Sequence, residues 1–218
     1  MWAAYFKYLC QQNFGSGMDK NFNPDKQHTL VKAISISGTG LHSGVEVDMT
    51  IKPANPGFGY QFQRTDLPGS PIIKADCDLV TDTSRGTTLV KGDCRVSTVE
   101  HILAALVAMG VDNCVIEING PEIPIIDGSS SPFVDIIEKN GVLEQDAAKV
   151  WYTIDTNISY FDDVKKVEMT ALPSVNYQLT TLIDFNSPVL GTQHASLKSM
   201  KEFKTEIAPC RTFCFLHE

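Results

Sequence analysis

Residues 47–53 read V-D-M-T-I-K-P, and residues 167–173 read V-E-M-T-A-L-P. The two stretches share the pattern V-[DE]-M-T-x-x-P, and a tyrosine-led stretch follows each of them, Y-Q-F from Tyr60 and Y-Q-L from Tyr177. Apolar and polar residues alternate strictly over residues 45–51, which is the pattern of a strand with one buried face. The same order of strand, loop and strand in both halves predicts that one structural unit has been duplicated.

Two helices are predicted beside these strands. The first has Ser97 as its N-cap and runs to Met109, with apolar side chains along one face. The second has Ser131 as its cap and Pro132 at the first helical position, and it stops at Gly141. Strands and helices in this order predict an α+β fold, in which each of two related domains is a sheet layered with helices.

The second of these domains is predicted to be truncated. At the distance from Val167 where a second copy of the first helix should begin, the chain has reached Glu218. A sheet with one uncovered apolar face is unstable, so we expect a first domain over residues 25–149, a partial second domain over residues 150–218, and a longer parent protein. The strands of the partial domain are expected at residues 151–160, 166–172 and 177–185.

Composition excludes several classes of protein. A net charge of −8 argues against a nucleic-acid partner, which would favour a basic surface. The six cysteines form no C-x-x-C pair and predict reduced thiols in a cytoplasmic protein, and no apolar run is long enough for an integral membrane segment. Residues 1–17 end in the linker-like G-S-G before Met18, and we expect them to be an appendage or an upstream mis-start.

The stretch S-T-V-E-H-I-L-A-A-L, residues 97–106, places an acid and an imidazole together at the start of the first helix. One interpretation is structural: Ser97 and Glu100 form a capping box, in which Glu100 reaches back to the Ser97 backbone N–H. The other is catalytic, because a helix N-terminus keeps His101 neutral, as a zinc ligand must be, and Glu100 could take a proton from water. A catalytic zinc needs three protein ligands and H-E-x-x-H is absent, so these residues alone leave both interpretations open.

Four runs occur in order over residues 25–218: S-G-T-G-L-H-S-G (37–44), R-V-S-T-V-E-H-I-L-A-A-L (95–106), G-P-E-I-P-I-I-D-G-S-S-S-P-F-V (120–134) and R-T-F-C-F (211–215). Together they closely resemble the UDP-3-O-acyl-N-acetylglucosamine deacetylases, zinc enzymes that commit lipid A synthesis. The resemblance implies two domains of related topology and a small-molecule substrate, a UDP-linked acylated glucosamine.

The resemblance also implies roles for individual residues. His101 corresponds to the first ligand of Zn²⁺ and Glu100 to the general base. Thr212 corresponds to the threonine that hydrogen-bonds the oxyanion, and Phe213 to an aromatic residue beside the substrate. His42 corresponds to a histidine that lines the active-site cleft, although it could equally be a histidine that bonds loop backbone.

Three further positions lie in or near these runs. Asp127 is expected to form the turn before the second helix rather than to act in catalysis. Arg211 could hold the loop that bears Thr212. Gly86 stands where some relatives carry a cysteine near the metal.

The chain departs from the family pattern at its end. The other two zinc ligands belong to an H-x-x-x-D motif well after R-T-F, and the general acid is a later histidine; His217-Glu218 is not that motif. Some relatives are fused to an acyl-carrier-protein dehydratase. We expect the full-length protein to be a monomer.

The function predicted from the sequence is therefore that of a zinc-dependent amide hydrolase, which removes acetate from UDP-3-O-acyl-N-acetylglucosamine. Two alternatives remain open at this point. In the first, the chain is a non-catalytic structural or binding remnant of that enzyme. In the second, it belongs to an unrelated hydrolase in which Glu100 only completes a capping box.

Overall fold

The computed structural model describes Asn23 and residues 25–213, so the predictions for residues 1–17 and for His217 lie outside the described residues. Its helices and strands form a mixed α+β fold, as predicted. The strands are β1 Lys26–Leu30, β2 Ile34–Thr39, β3 Glu46–Pro53, β4 Tyr60–Arg64, β5 Ile72–Lys74, β6 Val80–Asp82, β7 Thr88–Lys91, β8 Cys94–Val96, β9 Cys114–Ile118, β10 Val142–Ala148, β11 Ile158–Asp162, β12 Val167–Ala171, β13 Leu179–Asp184 and β14 Thr192–Leu197. The helices are α1 Glu100–Ala108 and α2 Ser131–Asn140, with 3-10 turns at Cys77–Leu79 and Met200–Glu202 and a π-helical turn at Phe203–Ile207.

A five-stranded sheet in the order β2-β3-β9-β4-β5 forms the centre of the fold. Only β4 and β9 run parallel, with Phe62 opposite Ile116, and the other neighbours are antiparallel. A parallel pair needs a long crossover connection, and here that crossover contains the three-stranded sheet β6-β7-β8 and α1. Glu100 and His101 of α1 therefore lie in the crossover that connects β4 to β9.

The two helices and the sheet share one hydrophobic core. Alternate residues of β3, Val47, Met49 and Ile51, are buried, which confirms the period-two prediction for this strand. They pack in the same cluster as Leu103 of α1 and Phe133 of α2. Among the described residues, no helix is both long enough and apolar enough to cross a membrane.

The prediction of a capping box at the start of α1 is wrong. The helix begins at Glu100 with Val99 at the cap position, and no side chain caps it. Both the backbone N–H and the hydroxyl of Ser97 donate to the carbonyl of Pro121, at 2.9 and 3.0 Å. The N–H that a capping box would offer to Glu100 is therefore already used, and α1 is shorter than the predicted span to Met109.

The second helix agrees closely with the prediction. It spans Ser131–Asn140 with Pro132 in its first turn, and Gly141 follows with φ 82°. The cap position is Ser130, one residue earlier than predicted, and its hydroxyl donates to the carbonyl of His101 at 3.1 Å. This contact fixes the N-terminal end of α2 against the first turn of α1.

Beyond β10 the chain forms two separate antiparallel hairpins, β11-β12 and β13-β14. The strands are shorter than predicted, most of all the first, since residues 151–157 are not extended in a sheet. Large apolar side chains lie exposed here, including Val164 and Val175 at 92%. This agrees with the expectation of an apolar surface in this part of the chain.

The end of the described chain returns to the main core. Leu197, Met200, Phe203 and Ala208 are buried in the same hydrophobic cluster as the two helices. The carbonyl of Ala208 also accepts a hydrogen bond from the N–H of Ser130, at 3.0 Å. The core around the first sheet therefore includes residues well beyond 149.

Candidate active site

Glu100 is held by the residue just before β7, the middle strand of the three-stranded sheet. Its Oε2 accepts a hydrogen bond from the backbone N–H of Thr87, at 2.8 Å. A Cβ added at Gly86 would lie 3.2 Å from Oε1, which is tighter than an ordinary van der Waals contact. The absence of a side chain at residue 86 therefore leaves room for the carboxylate.

The residue that turns the chain into α1 is Thr98. It is a buried non-glycine residue with φ 59°, a left-handed conformation that costs free energy and is often found at functional sites. Its hydroxyl donates to Oε1 of Glu122 at 2.8 Å. This turn lets Ser97 pair with Pro121 while Glu100, three residues later, pairs with Thr87.

His101 has the properties of a neutral imidazole. Burial lowers its pKa below the ordinary value of 6.5, and the opposing charges of Glu100 and Asp127 only partly offset this effect. A neutral ring has a lone pair to offer to a metal ion, which an imidazolium lacks. The environment of His101 therefore fits the metal-ligand role implied by the sequence.

Asp127 forms a turn, as expected. Its Oδ1 accepts hydrogen bonds from the Ser129 N–H at 3.0 Å and from the Ser129 hydroxyl at 2.8 Å. Burial alone would raise the pKa of Asp127, but these bonds and the charge of Arg211 hold it below its ordinary value. Its negative charge faces His101, so Asp127 acts on the imidazole through space.

The described part of the R-T-F-C-F run lies against this turn. The backbone N–H of Thr212 donates to the carbonyl of Gly128 at 2.8 Å, and Gly128 has φ 86°. The next side chain, Phe213, stacks edge-to-face on Phe185 with ring centroids 5.4 Å apart. The structure thus brings Thr212 to the turn that contains Asp127, although many residues separate them in the chain.

His42 belongs to the tight loop between β2 and β3, which the N–H of Gly44 closes by donating to the carbonyl of Gly40 at 3.0 Å. Its Nε2 lies 3.1 Å from the carbonyl of Arg85, and because a carbonyl only accepts, this nitrogen donates. The interaction matches the alternative interpretation, in which His42 bonds loop backbone. It nevertheless places the ring beside Arg85, next to the residues that contact Glu100.

Sequence reasoning missed Glu122. It is 1% exposed, and its carboxylate accepts hydrogen bonds from the His42 N–H, the Ser43 N–H and the Thr98 hydroxyl. Glu122 lies inside the run 120–134, which the sequence makes conspicuous. The run does not indicate that the side chain is buried, because a glutamate before an apolar stretch is normally exposed.

A cluster of three or more His, Cys, Asp or Glu side chains suited to a metal ion occurs once in the part of the chain that the structure describes. It consists of Asp76, Cys77 and Asp78 and does not include His101. Asp76 also has a local role there, since it accepts a hydrogen bond from the Asp78 N–H at 3.1 Å and so caps a 3-10 turn. Among residues 25–213, His101 therefore belongs to no group of three potential metal ligands.

A carboxylate beside a partly buried imidazole, at the start of a helix in an α+β fold, is an arrangement that hydrolases use for acid–base chemistry. Residues 27–218 match the model of the LpxC family, UDP-3-O-acyl N-acetylglycosamine deacetylase, and the chain belongs to this family.

Individual relatives agree with this assignment. The bifunctional enzyme LpxC/FabZ of Chlorobaculum tepidum is 47% identical over 193 residues, which cover 88% of this chain and 41% of that protein. The corresponding enzyme of Bacteroides thetaiotaomicron is 46% identical, with 42% of its length covered. The UDP-3-O-acyl-N-acetylglucosamine deacetylase of Myxococcus xanthus is 44% identical, with 61% of its length covered. The chain thus spans about two fifths of the bifunctional relatives and three fifths of this deacetylase.

Proposed function

We propose that the protein containing this chain is a cytoplasmic, zinc-dependent deacetylase that removes acetate from UDP-3-O-acyl-N-acetylglucosamine in lipid A biosynthesis. The observation that carries the proposal is the hydrogen bond between Glu100 and Thr87. It holds the carboxylate away from the helix end and beside His101. Family membership and the names of the relatives support the substrate class.

The residues present fit a zinc ion in part. His101 offers a neutral nitrogen in a mostly buried position. Two further ligands would come from the H-x-x-x-D motif that the family resemblance implies after R-T-F. When bound, zinc supplies Lewis-acid chemistry: it lowers the pKa of water and polarises a carbonyl.

Four side chains of this chain would then act on the substrate. Glu100 takes the proton from the attacking water: its Oε2 accepts from the Thr87 N–H, which orients the carboxylate and leaves Oε1 for the proton. Thr212, placed by Gly128, donates to the oxygen that gains negative charge. Phe213 and His42 would contact the substrate.

The second half of the chain supports the duplication. The stretch Val47–Pro53 lies in β3, which pairs antiparallel with β2. The matching stretch lies in β12, which pairs antiparallel with β11. We infer that the hairpin β11-β12 repeats the hairpin β2-β3, and that residues 150–218 begin a second, related domain.

The main alternative is a non-catalytic remnant, and the lack of a described group of three potential metal ligands around His101 favours it for this chain taken alone. The hypothesis of an unrelated hydrolase depended on a capping box, and it is no longer supported because the capping box does not form. Zinc content and acetate release, measured for residues 1–218 and for the natural full-length protein, distinguish the first two. We expect bound zinc and turnover only in the full-length protein, because one imidazole leaves zinc mostly hydrated. A full-length protein without either would refute the proposal.

A further inference from the structure

Glu122 is a buried carboxylate at the junction of two segments that carry candidate site residues. Its Oε1 accepts from the Thr98 hydroxyl at 2.8 Å, and its Oε2 accepts from the Ser43 N–H at 2.7 Å. The His42 N–H lies 3.1 Å from both oxygens. One carboxylate therefore bonds the loop of His42 and the turn that leads into Glu100 and His101.

The charge of Glu122 is balanced by hydrogen-bond donors. Across residues 25–213, no lysine or arginine forms an ion pair with this carboxylate. Burial raises the pKa of Glu122, but the bonds from His42, Ser43 and Thr98 outweigh that effect and lower it, so the group is ionised at neutral pH. A buried charge of this kind is costly, and the three donors offset that cost.

The surrounding backbone is shaped around the carboxylate. A Cβ added at Gly40 would lie 2.6 Å from Oε2 of Glu122 and 2.4 Å from the Ser43 hydroxyl, so any larger residue at position 40 would displace one of these groups. On the other side, Thr98 is held at φ 59° while its hydroxyl bonds Glu122. Both segments therefore contact this carboxylate where their backbones are closely packed or strained.

We propose that Glu122 is a positioning residue, which fixes the His42 loop relative to the turn that places Glu100 and His101. This inference rests on the proposed function, because the relative position of the two segments matters only if both contribute residues to one active site. Glu122 acts through Thr98 on one side and through the backbone of His42 and Ser43 on the other. It does not touch the substrate.

The test compares Glu122→Gln with a matched control, Glu117→Gln, in the natural full-length protein. Glu117 is a partly exposed glutamate of β9 that pairs with Lys52 at the surface. A glutamine at 122 can still accept from Thr98, but its amide would oppose the backbone donor of Ser43. We expect KM to rise and kcat to fall, for a combined loss of about 10- to 100-fold in kcat/KM, as for other supports of a metal site. Glu117→Gln should behave as wild type.

A second pair of variants isolates the link to Glu100. Thr98→Val removes the hydroxyl and keeps the shape, whereas Thr98→Ser keeps the hydroxyl. We expect Thr98→Val to lower kcat with little change in KM, and Thr98→Ser to restore kcat. A purely structural role predicts a different result: fewer folded molecules in Glu122→Gln and Thr98→Val, with normal kcat and KM per folded molecule. That result would overturn the inference.

Hydrogen exchange separates this inference from the proposed function. In residues 1–218 without substrate, Glu122→Gln should speed exchange of the His42 and Ser43 amides by about tenfold or more and also change exchange at Glu100 and His101. If the wild-type protein is active and Glu122→Gln has the same kcat and KM, the inference is overturned while the proposed function stands. If the wild-type protein releases no acetate, the proposed function fails, and unchanged exchange at these four amides then overturns the inference as well.

Discussion

The Oε2 of Glu100 lies 2.8 Å from the backbone nitrogen of Thr87, which donates a hydrogen bond to it. The bond connects the first residue of α1 to the residue just before β7, so the carboxylate bonds that segment and not its own helix end. A glutamate in the first turn of a helix more often serves its own helix end. Here that end is left without a side-chain cap, so the position of Glu100 is set by tertiary structure.

Thr212→Val should lower the turnover of the full-length protein by about 100- to 1,000-fold, because it removes one donor to the oxyanion. Zinc content should not change, since the hydroxyl binds no metal in this account. Steady-state kinetics and metal analysis check both points. Thr181→Val, an exposed threonine of β13, is the control. Normal turnover in Thr212→Val would mean that the R-T-F segment serves packing only.

Gly128→Ala should lower both stability and turnover. Alanine at φ 86° costs about 1–2 kcal/mol, and the strain falls on the carbonyl that holds Thr212. Gly92→Ala is the matched control, because φ is 59° there and nothing lies near the added Cβ. Denaturant unfolding should show similar losses for the two variants, while only Gly128→Ala should lose turnover. Equal turnover would contradict the role of this carbonyl.

Phe203→Ala should destabilise residues 1–218 by about 3–5 kcal/mol, because this ring is buried in the main core. Phe161→Ala makes the same chemical change at a side chain that is 58% exposed, and it should cost less than about 1 kcal/mol. Urea unfolding at low protein concentration measures both. Similar values for the two variants would show that residues 197–208 do not belong to the core.

Glu122 should make stability depend on pH in one direction. Its folded pKa is lowered below the ordinary value of 4.5, so its contribution is present above that pH and is lost as the pH falls through the folded pKa. The difference in unfolding free energy between wild type and Glu122→Gln should therefore shrink on acidification. Denaturant titrations from neutral pH downward measure it. A difference that stays constant or grows would contradict an ionised, hydrogen-bonded Glu122.

Patterns within one segment predicted the local structure well. Alternation over residues 45–51 predicted β3, and Pro132 followed by a glycine stop predicted α2 to within a residue at its cap. These features depend on a buried strand face and on local backbone preferences, both of which the sequence displays directly.

The features that failed or were missed depend on distant contacts. The S-x-x-E pattern predicted a capping box, but Ser97 bonds Pro121, to which no local pattern points. The burial of Glu122 and the return of Phe203 to the first core likewise follow from tertiary packing. At the site, Glu100 and His101 are adjacent in sequence, whereas the approach of Thr212 to Gly128 is visible only in the fold.

The central claim is that Glu100 moves a proton while His101 holds the metal. The most direct test measures bound zinc and acetate release together in the natural full-length protein, for wild type, Glu100→Gln and His101→Ala. Glu100→Gln should keep its zinc and lose roughly 100- to 10,000-fold in rate, and His101→Ala should lose both. Near-normal acetate release by Glu100→Gln would contradict the account and leave Glu100 with a purely structural role.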